Sequence, residues 1–71
     1  MEIIDQRSKT VGGYSYQVVV TVGKPAHPTW ASMVEDPSKV YLDVWMHDEV
    51  NGITQEHQVF ELTGGMRMLT Y

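Results

Sequence analysis

VYLDVWMHDEVNGITQEHQVFEL, residues 40–62, is the stretch whose reading decides the fold. Asn51-Gly52 lies between two runs rich in β-branched and aromatic residues. Such a pair favours a two-residue type I′ turn, because both central residues of that turn need positive φ. The predicted hairpin has Val50 facing Ile53, Asp48 facing Gln55, His47 facing Glu56, Trp45 facing Gln58 and Asp43 facing Phe60.

This register sorts the side chains onto two faces, since successive residues of a strand point to opposite sides. Val40, Leu42, Val44, Met46, Ile53, Val59, Met66 and Met68 fall on one. Tyr41, Asp43, Trp45, His47, Glu49, Glu56, Phe60, Leu62, Leu69 and Tyr71 fall on the other. An antiparallel sheet commonly packs one face and wets the other. The aliphatic face is therefore expected to be the core, packed with Val18, Val20 and the segment around Trp30. A one-residue slip would exchange the two faces.

Outward from the hairpin, Tyr14–Val22 alternates with period two and reads as a strand. Glu2–Thr10 reads as a preceding strand that turns at Gly12-Gly13. Its polar middle (Asp5, Gln6, Arg7, Ser8, Lys9) suits a sheet edge, where charge discourages stray pairing. The prolines of Gly23–Pro28 break a central strand. Thr29 is a plausible N-cap for a short helix or helical turn over 29–35, ended by Asp36-Pro37. Gly64-Gly65 predicts a further turn, with Met66–Tyr71 returning as a last strand and Phe60 opposite Leu69. TVGGY (10–14) and LTGGM (62–66) read as two similar turns; neither has the glycine spacing and lysine of a phosphate loop. The expected fold is mainly β, with α+β allowed: one small domain over 1–71, an antiparallel sheet of 4–5 strands built from two hairpins, and a small closed barrel as the alternative.

Composition sets further bounds. A chain of 71 residues hides only about 60% of its extended surface on folding. There is no cysteine, so no disulfide adds to stability, and nothing points to an oxidising compartment. The N-terminal residues lack a basic start followed by an apolar run, and the longest apolar run, Val18–Val20, is far short of a membrane span. A soluble, cytoplasmic, stand-alone accessory protein is expected. The net charge is −4. Residues 1–39 balance Glu2, Asp5, Glu35 and Asp36 against Arg7, Lys9, Lys24 and Lys39. Residues 40–71 set Asp43, Asp48, Glu49, Glu56 and Glu61 against Arg67 alone. Scattered cations argue against direct nucleic-acid binding, and a protein with a basic surface is the favoured partner.

Chemistry is sparse. His47 and Glu56, if opposite, could orient an imidazole for general-base work, although nothing nearby supplies a nucleophile or oxyanion donors. An ordinary cross-strand pair is the simpler reading. His47, Glu56, Glu49 and Asp43 match no metal-ligand template, so no metal or cofactor is expected. Asp43 and Glu61 fall on opposite faces and do not cooperate. His27 reads as a loop residue, and His57 as one at the core margin with its polar edge satisfied. The expected function is non-enzymatic: an acidic protein-binding module that contacts its partner through Tyr41, Asp43, Trp45, His47, Glu49, Glu56 and Phe60. An inhibitor encoded by a virus or mobile element, filling a basic groove of a host enzyme, fits that size and charge. A structural subunit of a homo-oligomer or larger particle is the alternative, with a homodimer allowed and an edge strand, Glu2–Thr10 or Met66–Tyr71, pairing with a neighbour.

Overall fold

Alternation of β-branched and aromatic residues builds most of this chain into strands. The computed structural model describes residues 1–30 and 32–69, and the backbone alone of Glu56. Five strands, β1 (Glu2–Val11), β2 (Tyr14–Gly23), β3 (Asp36–Asp48), β4 (Ile53–Glu61) and β5 (Arg67–Met68), form one antiparallel sheet in the order β1-β2-β3-β4-β5. The sheet is open and does not close into the alternative barrel. Among the described residues no helix is long and apolar enough to cross a membrane.

The first hairpin follows the sequence reading. Val11 pairs with Tyr14, and Gly12 and Gly13, at φ 56° and 83°, supply the two positive φ values that a two-residue turn needs. All ten residues of β1 are exposed, as befits its place at the sheet edge.

The second hairpin departs from the predicted register. Asp48 pairs with Ile53, leaving a four-residue loop, 49–52, in place of the two-residue turn. The cause is Asp48. Its Oδ1 accepts the Val50 and Asn51 N–H groups at 3.0 and 3.1 Å, and its Oδ2 accepts the Asn51 side-chain amide at 2.7 Å. An aspartate before a turn organises the loop behind it in this way. Further along, Val44 pairs with Gln58 and Met46 with Gln55, so Trp45 stands against two residues of β4, 56 and 57. This is a β-bulge, and it shifts the alternation of β4 by one residue.

Two corrections follow. Asp43 pairs with Val59 rather than Phe60, and His47 with Thr54 rather than Glu56. Val59 thereby joins the face of Tyr41, Asp43 and Trp45, while Phe60 joins the face of Leu42 and Val44. The buried face is also the opposite of the one expected. Val19, Thr21, Tyr41, Asp43 and Val59 lie there, none more than 3% exposed.

Of the short helix or helical turn expected over 29–35 the helical turn forms, a 3-10 turn at Pro28–Trp30, with Trp30 N–H donating to the His27 carbonyl and Met33 N–H to that of Trp30, both at 3.0 Å. A segment this short between prolines cannot sustain an α-helix without packing; Ala31 lies outside the described residues. The last strand is shorter than expected, and Phe60 pairs with Met68 instead of Leu69. Thr70 and Tyr71, the end of that expected strand, lie outside the described residues.

Candidate functional site

The β2–β3 connection folds back over the buried face. The Thr21 hydroxyl donates to the Lys24 carbonyl at 2.9 Å, and the Ala26 N–H donates to Asp43 Oδ2 at 3.1 Å. Pro25 is buried beneath it. Asp43 has no exposed surface, and a buried carboxylate needs a partner for each oxygen. Its Oδ1 lies 3.2 Å from His57 Nε2. A carboxylate only accepts, so the proton sits on Nε2 of His57. His27 completes the group. Its Nδ1 accepts the Thr29 N–H at 3.0 Å, and its ring lies 4.1 Å from that of His57. The Trp45 ring also lies against that of His57, 4.8 Å away.

Burial lowers the pKa of His57, and the neighbouring His27 lowers it further, while the Asp43 carboxylate pulls the other way. The neutral ring is therefore favoured, oriented by Asp43. Ala26, His27, Pro28, Trp45, Thr54 and His57 line an open hollow of about 440 Å³. The hydroxyl within it, on Thr54, is engaged by His47 Nδ1 at 3.1 Å. Among the described residues no group of three or more His, Asp or Glu is arranged to hold a metal.

The residues expected to form one binding surface are divided by the fold. Tyr41 and Asp43 are buried, so neither can touch a partner. Burial, followed by the charge of Glu61, raises the pKa of Tyr41. Trp45 and His47 remain half-buried on the same face, with His47 Nε2 4.0 Å from Glu49, which is exposed in the loop. Phe60 lies on the opposite face. The Glu56 side chain lies outside the described residues. Glu61 is drawn between Lys39 at 3.5 Å and Arg67 at 3.6 Å. The Asp43–His57 pair escapes sequence reading because a one-residue bulge brings it about. The only signal for it was an aspartate inside an otherwise apolar and aromatic strand.

The other face carries the aliphatic residues. Tyr14, Tyr16, Val18, Val20 and Val22 of β2 share it with Val40, Leu42, Val44 and Met46 of β3, with Phe60 of β4 and with Met68 of β5. None of them is buried, and Tyr16 is 46% exposed. Among the described residues every strand contact runs to a neighbour within the sheet, and no element lies across this face. No protein family, curated protein or solved structure matches this chain.

Proposed function

We propose that the chain is a non-enzymatic protein-binding module that binds through the uncovered aliphatic face of β2, β3 and β4. One observation carries this reading. Apolar side chains of three adjacent strands share a face that no element among the described residues covers, and contiguous exposed apolar patches mark interaction sites. The rim is polar: Asp5, Arg7 and Lys9 on β1 at one side, Gln55 and Gln58 on β4 at the other. An apolar centre within a polar rim is the usual anatomy of an interface.

The acidic surface expected around Trp45 is not the one that forms this contact. Asp43 is buried and Glu61 is paired, which leaves Glu49 as an exposed acid on the second hairpin. The test is a photo-crosslinking residue placed at Tyr16 and, as a control, at exposed Ser32, in cells of the native host. An adduct from Tyr16 and none from Ser32 is expected. Adducts from Ser32 alone would overturn the assignment.

A further inference from the structure

We infer that the occupant of the uncovered face is a second copy of this chain, packed face to face to form a two-layered sandwich. This inference rests on the reading of that face as the binding surface. A sheet with an apolar face is stable when a second layer covers it. Here the connection 24–30 covers one side, and the other side has no second layer among the described residues.

The area is sufficient. Ten residues of β2 at about 3.3 Å each, across four strands at about 4.8 Å, give roughly 600 Å² of face per copy. Two copies then bury about 1,200 Å², within the range of specific interfaces and above the roughly 1,000 Å² that separates them from incidental contacts.

The charge pattern selects the partner. On this face β1 contributes Glu2, Asp5, Arg7 and Lys9, which cancel. Asp48, at the far end, is turned back into hydrogen bonds with its own loop. Among the described side chains the other acids lie elsewhere: Asp43 and Glu61 on the other face, Glu35 ahead of β3, Asp36 at its start and Glu49 in the loop. Among its described side chains the face therefore carries, net, only the single negative charge of Asp48, buried at one end, which gives a weak field to a basic partner and little repulsion to a copy of itself. The β1 strip is also polar along its length, acidic at Glu2 and Asp5 and basic at Arg7 and Lys9. A two-fold axis in the interface, running across the strands, lays β1 antiparallel over its symmetry mate. The acidic end of one copy then meets the basic end of the other, as an isologous contact requires.

Sedimentation equilibrium of the full chain tests this. The wild type is expected to be a dimer of 8.1 kDa chains. Tyr16→Lys, at a position already open to solvent, should weaken association by at least about 100-fold, because it buries an unpaired charge at the contact. Lys9→Glu should weaken it about fivefold, and Asp5→Lys together with Lys9→Glu should restore it. The charge pair lies on a fully exposed strand, so its effect is separable from folding. A wild type that stays monomeric overturns the inference. So does a dimer indifferent to both Tyr16→Lys and Lys9→Glu. Cross-linking at Tyr16 then separates the two readings. An adduct with a different chain from a monomeric protein removes the second copy and keeps the binding face. A monomer that forms no adduct removes both.

Discussion

Asp43 Oδ1 and His57 Nε2 lie 3.2 Å apart, with the aspartate wholly buried and its other oxygen held by the Ala26 N–H at 3.1 Å. One carboxylate thus ties three pieces together: the centre of β3, the bulged part of β4 and the connection that covers the sheet.

Loss of this tie is expected to be costly. Asp43→Ala leaves two part-buried donors, the Ala26 N–H and His57 Nε2, without acceptors, at up to about 1–3 kcal/mol each. A loss of roughly 3 kcal/mol is expected, against the roughly 3–5 kcal/mol that a core of this size supplies. Asp43→Asn keeps an acceptor oxygen and should cost about 1 kcal/mol. Urea denaturation measures both, and an Asp43→Ala variant as stable as wild type would refute the role.

Acid should weaken the fold through His57. Its pKa is lowered from 6.5, first by burial and then by His27, with Asp43 opposing. A lowered folded-state value means that the unfolded chain takes up the proton first. The stability is then full above pH 6.5 and falls as the pH drops through the folded-state pKa. The urea midpoint should fall on acidification from pH 6.5 down to the folded-state pKa of His57, and His57→Gln should flatten the dependence in that window. A midpoint that rises in this window would mean that attraction to Asp43 outweighs burial.

The loop before β4 makes a separate demand. Gly52 sits at φ 68°, and a Cβ there would meet nothing within 4 Å. The cost of Gly52→Ala is therefore conformational only, about 1–2 kcal/mol. Thermal unfolding measures it, and an unchanged midpoint would contradict the loop geometry.

Period-two patterning made β2 legible, and paired glycines made the first turn legible, because each depends on local steric preference alone. The second hairpin was legible as a hairpin but not in register. Its register depends on Asp48 organising a four-residue loop, which moves the pairing by two residues and keeps the faces, and on the bulge at Trp45, which moves it back by one. That single step decides which face carries Val59 and which carries Phe60. The burial of Asp43 was not legible for a related reason. Carboxylates are almost never buried unless paired, and its partners, Ala26 and His57, come from a loop and a bulge that periodicity does not describe. The aliphatic alternation of β3 was real, yet it marks the face left open.

The account turns on which face of the sheet is covered, and tyrosine nitration read residue by residue tests it most directly. Tyr41 is 1% exposed on the covered face, while Tyr14 and Tyr16 are 39% and 46% exposed on the other. Tyr41 is predicted to resist nitration at every protein concentration. Tyr14 and Tyr16 are predicted to react in dilute protein and to become protected as the protein is concentrated. A Tyr41 that nitrates as fast as Tyr16 in the folded, dilute protein would contradict the assignment of the faces.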